Sequence, residues 1–175
     1  SVVLSGCQVV NVKSQTLNVT LANERDSILN RNKLSEASLN VLAMTGREAK
    51  ACTEDPQACI DVLAKLPQLI DEQFLSTASE LYLAKALTLD QSSACKISIL
   101  SKTKSEQQQQ LEQQHYHDCL DQSMFMLDRS LRYSYAYMFQ SSRTPEARIF
   151  DNRQVQTRDF YNMALARLVN NYTLR

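Results

Sequence analysis

Residues 71–89 read DEQFLSTASELYLAKALTL, and this stretch decides the fold class. Phe74, Leu75, Ala78, Leu81, Tyr82, Lys85 and Ala86 recur at three- and four-residue spacings, the repeat of a helix face rather than the alternation of a strand. Asp71 supplies a capping carboxylate ahead of the pattern, and Asp90-Gln91-Ser92-Ser93 breaks it. The spacing predicts a core helix from Asp71 to about Leu89.

Upstream the same period recurs in shorter pieces. Ile28 and Leu29 begin a helix over about 24–32. Ser35 and Ser38 then offer capping oxygens to a helix over about 35–45, whose face is Leu39, Leu42 and Ala43 and whose stop is Thr45-Gly46. Asp55-Pro56 is a clearer start, since a proline at the first helical position loses an amide hydrogen that has no partner there anyway. That helix turns Ile60, Leu63 and Ala64 inward and ends before Pro67.

Downstream a weaker apolar segment, Cys95-Lys96-Ile97-Ser98-Ile99-Leu100, precedes a polar Gln-rich insertion, 101–114, containing Gln107-Gln108-Gln109-Gln110. So few apolar residues cannot drive ordering by burial, so the insertion is either a mobile loop or an exposed helical extension. From Cys119-Leu120 a helix runs through Met124, Leu127, Leu131, Tyr135 and Met138. Tyr133, Tyr135, Tyr137 and Phe139 stand at every second position, which spreads aromatics over more than one helix face and implies burial on two sides. After a loop over Ser141 to Pro145, a last helix from about Val155 to Asn171 carries Phe160, Met163, Ala164, Arg167 and Leu168.

The composition agrees with an all-α chain. The 175 residues contain two glycines and three prolines, too few for hairpin turns, while Leu, Ala, Gln and Glu favour helices. That length suits one domain with its own core. Nineteen basic and nineteen acidic residues balance, leaving no basic field to gather phosphates, so nucleic acid is not an expected partner. No run reaches the roughly 20 apolar residues of a membrane span.

The N-terminus points elsewhere. Ser1-Val2-Val3-Leu4-Ser5-Gly6-Cys7 resembles the end of a signal peptide followed by a bacterial lipobox, and the resemblance makes Cys7 a lipid-acylated residue. Residues 8–22 then hold β-branched residues, Val9-Val10-Asn11-Val12 and Leu17-Asn18-Val19-Thr20, that suit short strands or an extended tether. Residues 23–175 form the helical domain. Gln8 follows Cys7, and the resemblance to sorted lipoproteins, with no charged residue there, implies the outer membrane.

Four further cysteines, Cys52, Cys59, Cys95 and Cys119, are an even set that fits an oxidising periplasm. Of the three possible pairings, proximity favours Cys52 with Cys59, clasping the turn Thr53-Glu54-Asp55-Pro56, and Cys95 with Cys119, stapling the insertion at its base. Buried free thiols in a cytoplasmic helical protein are the alternative. His115 and His117, two positions apart on a helix, point nearly opposite ways and do not share a metal comfortably, and no Cys-x-x-Cys pair exists, so neither metal nor cofactor is expected. Gly6 and Gly46 cannot build a Gly-x-Ser-x-Gly elbow, and no Gly-rich phosphate loop or His-Glu-x-x-His helix occurs.

Three segments carry a wider resemblance: Leu34-Ser35-Glu36-Ala37-Ser38, Ser79-Glu80-Leu81-Tyr82-Leu83-Ala84, and Tyr133-Ser134-Tyr135-Ala136-Tyr137-Met138-Phe139 ahead of Asp159-Phe160-Tyr161-Asn162-Met163-Ala164-Leu165-Ala166. Their order is similar to the N-terminal helical region of bacterial lipoproteins with an α/β-hydrolase domain. The resemblance implies a membrane-proximal scaffold in the periplasm, with the esterase-type catalytic Ser, acid and His beyond Arg175. It assigns no catalytic residue to this chain. The alternative is a non-enzymatic envelope lipoprotein that binds a protein partner through its helical surface. The expected architecture is an antiparallel helical array, loosely tetratricopeptide-like, though no clean 34-residue period is present.

Overall fold

The computed structural model describes residues 27–96, 105–149 and 151–174, and all regular structure among them is helical. The lipobox with Cys7, the extended segments over 8–22, the end of the apolar segment at 97–100 and the first part of the Gln-rich insertion lie outside the described residues. Four short helices come first: α1 (Ile28–Arg31), α2 (Glu36–Ala43), α3 (Ala49–Glu54) and α4 (Pro56–Leu63). Three long ones follow: α5 (Asp71–Gln91), α6 (Glu106–Gln140) and α7 (Asn152–Leu174). Single 3₁₀ turns sit at Ser93–Cys95 and Glu146–Arg148.

Inter-helix hydrogen bonds give the topology. Asp71 meets Ser142, Ser79 meets Ser130 and Asp90 meets Ser123, so positions rise along α5 as they fall along α6, and the two are antiparallel. Arg153 reaches Ser76 and Arg167 reaches Asp90, both across 77 positions, so α7 runs parallel to α5. The three form an up-down-up bundle, and α2, α3 and α4 cover the remaining side of α5.

This enclosure explains why α5 is buried on nearly every face: Ser76 through Ala84, with Ala86 and Leu87, are all buried. A helix surrounded by neighbours needs small side chains where backbones approach. Here Ser79 and Ser130 supply them. The Ser130 hydroxyl donates to the Ser79 carbonyl at 2.9 Å and the Ser79 hydroxyl to the Ser130 carbonyl at 3.1 Å. Elsewhere Tyr82, Leu81, Leu83, Leu63, Leu42 and Phe160 fill the core.

The helix starts follow local chemistry. Ser35 accepts from the Ser38 amide and caps α2, while Asp55 accepts from the Ala58 amide ahead of Pro56 and caps α4. Asp71 differs from its expected role: Ile70 is the capping residue and Asp71 lies in the first turn, its carboxylate turned to Ser142. α3 is an element that the apolar period alone does not reveal, because Cys52 is its one buried residue.

α6 extends through 35 residues, far upstream of the Cys119 start read from the sequence. Residues 106–114 of the insertion are an exposed helical extension, one of the two forms expected. Its start is a capping box in which Ser105 and Gln108 satisfy each other's backbone amides. The aromatic run divides by face. Tyr137 is buried and Tyr133 stacks on Tyr82 at 5.8 Å, whereas Tyr135 and Phe139 are 47% and 64% exposed and touch each other at 4.8 Å. Alternation along a helix thus turns one pair toward the core, Tyr137 buried and Tyr133 half-buried, and exposes the other.

Candidate functional site

The cysteines stand where sequence proximity places them. Cys52 in α3 and Cys59 in α4 are in disulfide contact, with Cα atoms 5.4 Å apart. The pair spans the Glu54-Asp55-Pro56 bend. Cys95, ending the 3₁₀ turn after α5, is in disulfide contact with Cys119 of α6, Cα atoms 5.3 Å apart, within the range that bonding requires. His115 is exposed and His117 half-buried beside the Tyr116 ring. No group of three or more His, Cys, Asp or Glu gathers for a metal among the described residues.

Three polar arrangements that the sequence reading did not single out organise the interior. The first centres on Glu80, fully buried in α5. Its carboxylate accepts from the Ile28 amide at 3.1 Å, the Ser35 amide at 2.9 Å and the Ser35 hydroxyl at 2.6 Å. One acid thus satisfies orphan amides at the starts of both α1 and α2. Burial pushes the Glu80 carboxyl above its ordinary range, and hydrogen bonds from Ser35, Ser38 and Ile28 offset only part of that. A signal existed: from Phe74 to Thr88 only Glu80 and Lys85 carry charge, and a lone acid in so apolar a stretch must find donors inside the fold.

The second closes the end of the bundle where α5 begins and α6 ends. Glu72, 1% exposed, takes a forked contact from Arg143, which also donates to Asp151 at 3.0 Å. These hydrogen bonds, Glu72 first, raise the Arg143 pKa. Burial works against Asp71 ionising, but hydrogen bonds from Ser142 and Glu72 outweigh it and hold that carboxyl below its ordinary value. Arg148, 1% exposed, donates to the carbonyls of Tyr137 and Met138 and lies over the Tyr137 ring, 4.7 Å from its centroid. It closes carbonyls that the last turn of α6 leaves open. Burial, and secondarily Asp151, pushes the Tyr137 phenol up to about 12.

The third lies at the opposite end. α1, the last turns of α5 and α7 border an open cleft of about 410 Å³. Ile28, Leu29, Leu87 and Met163 give it apolar walls, and Asn32, Gln91 and Arg167 add polar groups. Asn32 is left-handed, with φ 51°, a conformation Asn tolerates at a helix end. Arg167 donates through Nη1 to Asp90, whose other oxygen accepts from Ser123 at 2.6 Å. Its Nε is buried and has no hydrogen-bond partner.

Chemically, the buried acids Glu72 and Glu80 and the half-buried Asp90 are committed to structural partners: Glu72 to Arg143, Glu80 to backbone amides and the Ser35 hydroxyl, Asp90 to Arg167 and Ser123. Acids held this way orient helices; they are not placed to exchange protons with a substrate. No helix among the described residues is long and apolar enough to cross a membrane. The chain matches no family profile, no curated protein and no solved structure, so its functional reading rests on its own residues.

Proposed function

We propose that this chain is the membrane-proximal helical scaffold of a bacterial cell-envelope lipoprotein, tethered through Cys7, that holds an α/β-hydrolase domain on the periplasmic side of the outer membrane. The observation that carries the scaffold reading is the pairing of Cys52 with Cys59 and Cys95 with Cys119 on a bundle whose buried charges are spent on internal contacts. Such staples favour an oxidising compartment, and a register-locked bundle is suited to orienting a neighbour rather than to doing chemistry. Leu165, Val169 and Tyr172, 40%, 54% and 64% exposed on α7, recur at four- and three-residue spacing. They give a following domain an apolar stripe to pack on.

Three measurements test this. Mass spectrometry of membrane-extracted protein is expected to find a diacylglyceryl group on Cys7, and an unmodified cysteine there refutes the anchor. Reading the gene past Arg175 is expected to reveal a strand-rich segment with a serine elbow. A stop codon close by refutes the hydrolase and leaves the envelope protein that binds a partner through its helical surface. Non-reducing peptide mapping is expected to recover both disulfides, whereas four alkylatable thiols refute the oxidising compartment.

A further inference from the structure

Given the oxidised cysteines proposed above, we infer that the bond between Cys95 and Cys119 is a thiol–disulfide exchange site. A dithiol attacks it at Cys95, Cys119 leaves beside Ser92, and the opening frees the exposed start of α6. The two staples differ in their surroundings. Cys52 and Cys59 are 0% exposed and Cys119 is buried at 6%. Cys95 alone of the four is not buried; it ends a single 3₁₀ turn, and the next residue, Lys96, is exposed. Exchange depends on access to the sulfur under attack, so the second staple is the reachable one and Cys95 its reachable end. Lys96 adds a cation beside that approach, which suits an incoming thiolate.

Ser92 gives the exchange its direction. Its hydroxyl accepts from the Cys95 amide at 3.4 Å and stands 3.7 Å from Cys119 Sγ. A sulfur in a disulfide has no proton to give, so the hydroxyl is the donor toward Cys119. When a thiolate bonds to Cys95 Sγ, the bond to Cys119 breaks and the electron pair leaves on Cys119 Sγ, where that donor meets it. A stabilised leaving thiolate departs faster. Cys119 then takes a proton from water, and the second thiolate of the dithiol attacks its partner sulfur in the mixed disulfide, releasing Cys95 as a thiolate that is protonated in turn. Two electrons and two protons thus reach the chain, and the dithiol becomes a disulfide. The bond restrains a weakly packed element. Every residue from Glu106 to His115 is exposed, and the first buried side chains of α6, Tyr116 and Leu120, join Met124 and Leu168 in a small cluster of their own. A short helix with little packing is marginal in water, so the covalent tie at Cys119 holds much of the order at this end.

The test takes the full chain, purified from its cells without reductant, and adds reduced glutathione. Samples are quenched in acid at intervals, and thiols and adducts are mapped by differential alkylation and mass spectrometry. The Cys95–Cys119 pair is expected to open roughly tenfold faster or more than the Cys52–Cys59 pair, with glutathione on Cys95 and a free thiol on Cys119. Dithiothreitol, a dithiol, is expected to carry the same pair to two free thiols. Ser92→Ala is expected to slow the opening by roughly three- to tenfold, the worth of one hydrogen bond, and Ser92→Thr, which keeps the hydroxyl, to restore it. After selective opening, backbone amides over 106–118 are expected to exchange hydrogen roughly tenfold faster or more, while Ser79 and Ser130 keep their protection. Equal opening of the two pairs, an adduct on Cys119, a Ser92→Ala variant that opens at the wild-type rate, or unchanged exchange over 106–118 each overturns the inference and leaves the oxidised scaffold standing. Four free thiols before glutathione is added overturn both.

Discussion

Replacing Glu80 separates the two roles of a buried acid, as an acceptor and as a charge. Glu80→Ala removes the acceptor for the Ile28 amide, the Ser35 amide and the Ser35 hydroxyl. Each buried donor left without a partner costs about 1–3 kcal/mol. The strap of α1 and α2 can relax outward and recover water, so the full sum is not reached; a loss of about 3–5 kcal/mol is expected, a large share of the 5–15 kcal/mol typical of a domain. Glu80→Gln keeps one acceptor oxygen and should cost about 1–2 kcal/mol at acidic pH. The pH dependence then distinguishes the charge. Burial raises the Glu80 carboxyl in the folded chain above its ordinary 4.5, so the folded state binds the proton more tightly than the unfolded one. Its stabilising contribution is complete below that ordinary value and is lost as pH rises through the folded value. The advantage of wild type over Glu80→Gln should therefore shrink from pH 4 upward, read from urea unfolding at each pH, while hydrogen exchange at Ser35 reports the strap itself. An advantage that grows with pH would show that the three donors outweigh burial and hold Glu80 ionised, refuting the reasoning.

Other expectations concern the staples and the bundle end. Cys95 and Cys119 are 24 positions apart, and a loop of that size restricts the unfolded chain by about 3.5 kcal/mol. Replacing both with serine should lower the melting temperature by roughly 7–14 °C in scanning calorimetry, and an unchanged melt would mean the pair contributes nothing. Tyr137→Phe is expected to leave stability within about 1 kcal/mol, because the buried hydroxyl it removes has no well-formed hydrogen bond, only a marginal approach from Arg148. The same change should delete a phenol that titrates at about 12 from the ultraviolet pH titration. Asp71→Asn tests a depressed carboxyl: its contribution is present above the ordinary carboxylate range and lost as pH falls through the lowered folded value. The variant should consequently differ most from wild type near neutrality and least in acid.

Reading the sequence reached the helices through their apolar period and the cysteine pairs through proximity, and it stopped where a residue acts through a distant partner. Residues 71–89 announce a core helix because its contacts repeat locally. Arg148 announces nothing, since the carbonyls it closes lie ten and eleven positions back, in the last turn of α6, across a loop whose path the apolar period does not predict. α3 escaped because its six residues span less than two turns, too short for a period to show. The start of α6 escaped for a different reason: Gln-rich sequence permits a helix without demanding one, and the capping box at Ser105 and Gln108 decides the matter. The cleft was not legible at all, because its walls come from Ile28, Leu87 and Met163 on three separate elements.

What the long-range polar contacts share is register. Broad apolar faces pack tolerably after a slide of one helical turn, about 5.4 Å, since the hydrophobic effect is non-directional. Hydrogen bonds are not so tolerant. Along α5, Glu72 meets Arg143, Ser79 meets Ser130 and Asp90 meets Ser123 and Arg167. A slip of α6 or α7 by one turn breaks several of these at once and leaves buried charges exposed to the desolvation cost they now avoid. The staple at Cys119 needs that register to reach Cys95, and the cleft needs it to bring Met163 and Arg167 beside Leu87. A bundle held only by leucines could be as stable, but it would not fix where its surface stripe and its cleft stand, and a scaffold of the kind proposed needs that placement.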